Sequence, residues 1–337
     1  MAKPRLSFSQ IINMNVGFFG IQYSFGLQQS AVNPIYDMLG AAPDEIPILN
    51  LAGPMTGLLI QPIIGALSDN TWSPRFGRRK PFIFIGALFC SITLFLYPFS
   101  SSLWMAAGLL WVLDAANNTA MEPYRALIAD KLPDEQYSTG FLTQSFFTGL
   151  GITLANISLF VFQKYITGTA GSLPYWVYAS FFLGTICSIT TVMWSISKTP
   201  EIPPDEEELK ALKKRTEGMP HPAIQFFLSI LTTLVAYLVF FLLLIPTIFA
   251  KGLIQRTLEK TKENSTTRVL FAQNIEIIES IMVMPSVMWK LALIYLFQWY
   301  ALFCYWQNAA KSIAQSVWNT TPTGDKLLYE EAVGWTG

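Results

Sequence analysis

The sequence predicts an all-α integral membrane protein that crosses the bilayer several times. Three observations carry this. Apolar residues make up 52% of the 337-residue chain and charged residues only 13%, where an ordinary soluble domain carries about 25% charge. The apolar residues are gathered into repeated long runs, and roughly 20 such residues suffice to cross the hydrocarbon core as a helix. The lysines and arginines between the runs fall overwhelmingly on one side of the membrane, which sets an orientation.

Taken in order, the principal spans are residues 8–33, 46–68, 81–99, 103–125, 139–162, 174–196 and 285–306. With the N-terminus in the cytoplasm, the outer side keeps only Lys164, Lys311 and Lys326, and every other lysine and arginine lies inside. A multi-pass protein of the plasma (cytoplasmic, inner) membrane is expected. The first run is too long for the apolar core of a cleavable signal peptide and lacks a small-residue cleavage site.

Residues 200–217 form a Pro- and charge-rich linker. Residues 226–249 are apolar and long enough to span, yet basic residues flank both ends. A single crossing there would reverse span seven. A helix along the cytoplasmic interface, or a segment bent near Pro246, is expected instead. Residues 268–284 read as an amphipathic insertion helix with Glu276 and Glu279 on its wet side. Residues 307–328 are expected to form an outer loop, and 329–337 resemble the start of another span. The chain thus divides into 1–197, a complete six-helix N-terminal half; 198–284, a cytoplasmic linker and helical insertion; and 285–337, span seven, outer loop and start of span eight. On this pattern the C-terminal half is truncated.

Composition also excludes. The formal net charge is zero, so nothing points to nucleic acid. Cys90, Cys187 and Cys304 each sit in an apolar run and read as small buried hydrophobes. His221, the only histidine, lies between Pro220 and Pro222. No metal site, cofactor or nucleophile–base pair is expected, and the chain does not read as an enzyme.

Polar residues inside spans are costly unless paired or facing water, which makes them candidates for function. In span four Asp114, Asn117, Asn118, Glu122 and Arg125 fall on one face within an arc of roughly 140°, at 100° per residue. Such a stripe lines the bundle interior or an aqueous cavity. Asp114 lies near mid-span, where a low dielectric disfavours the charged form; that suits a group which binds and releases a proton. The alternative is a structural carboxylate satisfied by neighbouring helices. Glu122 and Arg125, at i and i+3, are placed to pair. Arg125 reads as a substrate ligand or as a cation snorkelling to the cytoplasmic edge. In span one Asn15, Gln22, Gly26, Gln29 and Asn33 share a face, and Gln61 adds an amide in span two. Amides donate and accept, which matches the hydroxyls of a sugar; interhelical hydrogen bonding is the alternative. In the loop after span two, Gly65 and Asp69 are followed by Gly77, Arg78, Arg79 and Lys80. Aspartate at a helix end facing arginines can latch one access state by a salt bridge, and breaking it frees the other.

At these residues the chain resembles a known family. The Gly65, Asp69, Gly77-Arg78-Arg79 pattern resembles the loop signature of the major facilitator superfamily. Residues 20–28, 53–62 and 114–125 resemble its sucrose-transporter branch, the glycoside–proton symporters. Met121-Glu122 and Tyr124 bring the chain nearest to the bacterial maltose and maltooligosaccharide carriers. The resemblance implies two six-span halves, alternating access and proton-coupled uptake of a disaccharide or short glucoside. It assigns proton coupling to Asp114 and a requirement in sugar transport to Arg125, with Asn117 and Asn118 matching its motif. A monomer in a lipid bilayer is expected, with the proton as coupling ion and a small sugar as substrate. A sodium-coupled glycoside carrier and a non-transporting membrane sugar sensor are the alternatives.

Overall fold

The computed structural model describes residues 3–247, 256, 258–262, 271–321 and 324–336. Helix α1 (Phe8–Met38) starts at a capping box: the Ser7 hydroxyl accepts the Gln10 N–H and the Gln10 side chain accepts the Ser7 N–H. A short turn α2 (Ile46–Leu49) leads into α3 (Ala52–Asp69). Helix α4 (Lys80–Leu96) closes in a 3-10 turn at Tyr97–Phe99. Helix α5 (Leu103–Lys131) is capped by Ser102 and stops at Leu132, before Pro133. Helices α6 (Tyr137–Tyr165) and α7 (Tyr175–Lys198) flank a two-residue hairpin, Thr169–Ala170 on Leu173–Pro174.

These elements form one bundle. Helix α1 lies along α6 and α7, α5 lies between α3 and α4, and α4 also packs on α7. One apolar cluster, around Tyr23, Leu27, Leu94, Leu113 and Phe181, fills the end where α1 finishes. A second, around Phe18, Ile83, Tyr124 and Val192, fills the end nearer the α3–α4 loop. Glycine allows the closest approaches: a Cβ on Gly20 would lie 2.5 Å from the Cys187 carbonyl oxygen of α7, and one on Gly86 would lie 2.5 Å from the Ala120 nitrogen of α5. Small residues at membrane helix interfaces let backbones meet in this way.

Among the described residues, five segments are long and apolar enough to cross a membrane: Ile46–Asp69, Lys80–Phe99, Asp134–Tyr165, Tyr175–Lys198 and Ser286–Val317. Of the seven predicted spans, the first and fourth are the two missing from that set. Helices α1 and α5 have 31 and 29 residues, ample length at 1.5 Å per residue. Polar residues lower their apolarity, among them the buried Asn15, Gln22 and Ser24 on α1 and Asp114, Asn117 and Asn118 on α5.

Beyond α7 the structure sharpens three expectations. The linker contains a helix, α8 (Glu206–Thr216), capped by Asp205. Its first turn is acidic and its last turn basic, the arrangement the helix dipole favours. The apolar segment is helix α9 (Pro222–Thr247), which packs against α3. Helix α10 (Ala272–Met282) carries Glu276 and Glu279, also touches α3, and is tied to α9 where Thr233 donates to Asn274 at 2.8 Å. The rest of the predicted insertion, residues 248–255, 257 and 263–270, lies outside the described residues. Helix α11 (Ser286–Val317) runs well past the predicted end of span seven, so the first part of the expected outer loop, residues 307–317, is helical. Residues 307–317 contain neither Pro nor Gly, so nothing stops the helix before Asn319, whose φ is +51°. Helix α12 (Lys326–Thr336) follows and packs on α11 and α6.

Candidate functional site

The polar residues gather at three levels along the bundle axis. The middle level centres on Asp114, which is 2% exposed. Three neighbours donate to its carboxylate. Gln28 Nε2 of α1 reaches Oδ1 at 2.6 Å, Asn118 Nδ2 reaches Oδ2 at 2.9 Å, and the Thr56 hydroxyl of α3 also bonds Oδ2. Gln61 extends the chain by donating to Asn118 Oδ1 at 2.6 Å. Among the described residues no lysine, arginine or histidine forms an ion pair with Asp114. A carboxylate held by neutral donors alone keeps the full cost of its charge in a low dielectric, offset only by hydrogen bonds.

The stripe on α5 divides in two. Asp114 and Asn118 face α3, whereas Asn117 is fully buried and donates to Ser24 of α1 at 2.9 Å. Toward the α3–α4 loop the same helix presents Glu122 and Arg125, paired at 3.9 Å with side chains 36% and 48% exposed. Arg125 also donates to Met121 Sδ at 3.5 Å. A Cβ on Gly65 would be in ordinary contact with Glu122, 3.7 Å from its Cγ, so α3 lies close to α5 at this level.

The face predicted on α1 is dispersed by packing. Asn15 turns back to donate to the Ile11 carbonyl. Gln22 is buried with Nε2 3.8 Å from Met121 Sδ. Gly26 is a contact point, where a Cβ would lie 2.7 Å from that of Ala155 on α6. Gln29 is half-buried, and Asn33 accepts from Asn50 at 2.7 Å. Asp114 is reached instead by Gln28, roughly 140° around the helix from Asn15 at 100° per residue.

At the level of the α3–α4 loop, Arg79 is 4% exposed and bonded on all sides. It pairs with Asp69 at 2.5 Å and with Asp130 of α5 at 2.9 Å, and donates to Ser68 at 2.7 Å. Burial works against its charge, but Asp130 and Asp69 outweigh that and hold the guanidinium above its ordinary value. Arg78 pairs with Glu208 of α8 at 2.7 Å. Glu201, just past α7, accepts the backbone N–H groups of Arg78, Arg79 and Lys80 at 2.7–3.2 Å. Its carboxylate thus caps the positive end of α4. Gly77, at φ +80°, leaves the room for it.

The opposite end holds a third cluster. Asp37, its side chain 3% exposed, pairs with Lys311 of α11 at 2.8 Å and accepts from Tyr329 of α12 at 2.6 Å. Sequence reasoning singled out Asp114, Asn118, Gln61, Asp69 and Arg79, and the structure brings each into a bonded group. It passed over Gln28, Thr56, Asp130, Glu201 and Asp37. Each of these pairs across a gap of 51 residues or more, which no local pattern reveals.

The Major Facilitator Superfamily profile matches residues 14–310. The chain is 26% identical over 257 residues to sucrose transport protein SUC4 of Arabidopsis thaliana, covering 68% of this chain and 49% of that protein. It is 33% identical over 142 residues to sucrose transport protein SUC3 of the same plant, covering 36% and 24%. Over 133 residues it is 34% identical to sucrose transport protein SUT5 of Oryza sativa subsp. indica, covering 33% and 25%. The chain spans no more than about half the length of these relatives. A profile match across most of the chain, on a multi-pass helical bundle, places the protein in the Major Facilitator Superfamily.

Proposed function

We propose that the protein acts in proton-coupled symport of a disaccharide or short glucoside by alternating access. The observation that carries this is Asp114: a buried carboxylate between α1, α3 and α5, held by Gln28, Thr56 and Asn118 and by no cation among the described residues. Such a group can take up a proton on one side and give it up on the other, and its charge state decides how easily the helices around it close. Support for a sugar comes from the sucrose transport relatives and from the amides around the site, whose donors and acceptors suit hydroxyls.

In this scheme Arg125 and Glu122 hold substrate, with Asn118, Gln61, Gln22, Gln29 and Asn33 along its path and Asn117 supporting the helix that carries them. Gly65, Asp69, Gly77, Arg78 and Arg79 form the latch that sets access. The N-terminus and the latch face the cytoplasm, in keeping with the bias of Lys and Arg. Residues 1–197 make the N-terminal half, 198–284 the linker and insertion, and 285–337 the first part of the second half, in a monomer of the plasma membrane.

The test is uptake into proteoliposomes under an imposed pH gradient, with and without sodium. Wild-type protein should accumulate sugar and carry protons inward without sodium. Asp114→Asn should lose gradient-driven accumulation, because an amide cannot take up and release the coupling proton, while retaining exchange of sugar for sugar. Gradient-driven uptake by Asp114→Asn at the wild-type rate would defeat the proposal. A strict sodium requirement would replace the coupling ion.

A further inference from the structure

Neither the family assignment nor the Asp114 site accounts for the helices inserted after α8. Helices α9 and α10 pack on α3 and on each other. The polarity of α9 is reversed. Over residues 222–235 its exposed side chains include Ile224, Phe227, Leu231, Leu234 and Val235, with Phe227 at 71%, whereas Ser229, Thr232 and Thr233 are buried. A helix lying on a water-facing surface shows the opposite pattern, apolar inside and polar outside. An apolar outer face over a seam of small polar residues suits a helix packed in lipid.

One amide fastens that seam. Asn274 of α10 accepts from the Thr233 hydroxyl at 2.8 Å, and its Nδ2 donates to the Thr232 hydroxyl at 3.0 Å. Asn274, Thr232 and Thr233 are all buried. The two threonines thus engage both the acceptor and the donor of the amide. In a dry interface no water stands ready to replace such a clasp.

The clasped pair rests on the helix that the Asp114 site depends on. Helix α3 supplies Thr56 to Asp114 and Gln61 to Asn118, and it ends at Asp69, the partner of Arg79. Pro62, directly after Gln61, lies inside α3 and takes one N–H out of its ladder, which weakens the helix at that level. A helix weakened in this way holds its shape through its neighbours. In the bundle α3 packs on α5, and the insertion adds α9 and α10. We infer that the α9–α10 pair is a brace on α3, set in the bilayer. Clasped through Asn274, it holds α3 where Thr56 and Gln61 meet the Asp114 site, and the clasp sets how readily α3 moves. This brace requires no assumption about substrate or coupling ion.

The test uses the full chain in phosphatidylcholine nanodiscs. Cysteines are introduced as probes, and their reaction with a water-soluble maleimide is followed peptide by peptide by mass spectrometry. Gly57 on α3 and Gly149 on α6 are suitable positions, since a Cβ at either meets nothing within 4 Å. Thr233→Val removes one bond of the clasp and keeps its shape; Asn274→Leu removes both bonds and keeps the site filled. Thr233→Val should speed labelling of Gly57→Cys about threefold and Asn274→Leu about tenfold, the worth of one and of two interhelical hydrogen bonds. Labelling of Gly149→Cys should not change. Leu231→Cys, on the outer face of α9, should react far more slowly than Glu279→Cys on α10. Wild-type labelling of Gly57→Cys in both variants would overturn the brace. Equal acceleration at Gly57 and Gly149 would also overturn it, by showing a general loosening of the bundle. Reaction of Leu231→Cys as fast as Glu279→Cys would place α9 in water and overturn its setting in the bilayer.

Discussion

The carboxylate of Glu201 occupies the space that a side chain at Gly77 would need: a Cβ there would lie 2.6 Å from its Cδ and Oε1. Because Gly77 has none, Glu201 can accept three successive N–H groups at the start of α4. The φ of +80° at Gly77 adds a second reason for glycine. Gly77→Ala should lose both advantages and cost about 2–3 kcal/mol, from left-handed strain and a lost cap together. Thermal unfolding in detergent measures this. If Gly77→Ala unfolds at the wild-type temperature, the cap is not a stabilising feature.

Arg79 joins α3 to α5 through Asp69 and Asp130. The partners are 50% and 40% exposed, so water screens them and the two pairs together are worth about 1–2 kcal/mol. That is small for stability but large for an equilibrium between access states, since 1.4 kcal/mol is tenfold. Arg79→Gln should therefore leave the fold intact and shift accessibility of cysteines placed along α3 and α5 by about tenfold. Labelling rates equal to those of wild type would show that the pair is not a latch.

The helices and the Asp69–Arg79 pair were legible in the sequence because each depends on local pattern: apolar runs, and an aspartate and an arginine ten residues apart. On α5 the pairing of Asp114 with Asn118, one turn apart, was legible too, whereas Asn117 of the same predicted stripe turned to Ser24 of α1. The face of α1 was not. Periodicity shows which residues avoid lipid, but an inner helix has several neighbours. The small Gly26 turned one side of the predicted stripe toward α6, and Gln28, off that stripe, met Asp114. Glu201 lay in a segment whose charge suggested only a solvated linker. Its role depends on a fold that brings it 122 residues back along the chain to Arg79.

Gln28 gives the Asp114 carboxylate the one side-chain donor that comes from α1. If that bond couples the proton site to the movement of α1, Gln28→Leu should reduce gradient-driven uptake by about tenfold or more. Exchange of sugar across the membrane, which needs no net proton movement, should fall less. Gln28→Glu would set a second carboxylate against the first and should be worse than Gln28→Leu. Equal losses in driven uptake and exchange would assign Gln28 to substrate or packing rather than to coupling.

Asp37 ties α1 to α11 and α12 at the end opposite the Asp69–Arg79 pair. Its carboxylate is 3% exposed, with Lys311 Nζ at 2.8 Å and the Tyr329 hydroxyl at 2.6 Å. Removing Lys311 would orphan a buried charge, which costs about 3 kcal/mol in a dry site and about 2 kcal/mol here because Lys311 is 23% exposed. Removing the charge at the same time should recover much of that. Asp37→Asn with Lys311→Gln is thus expected to be more stable than Lys311→Gln alone, and a double-mutant cycle on thermal stability measures the difference. The same variants should open this end, because the cluster joins the first helix of the bundle to helices that follow the insertion. Cysteines near Asn33 and Asn50, bonded to each other one turn below Asp37, should then label faster in Lys311→Gln than in wild type. Additive stabilities together with unchanged labelling would reduce the Asp37–Lys311 pair to a surface contact with no part in gating.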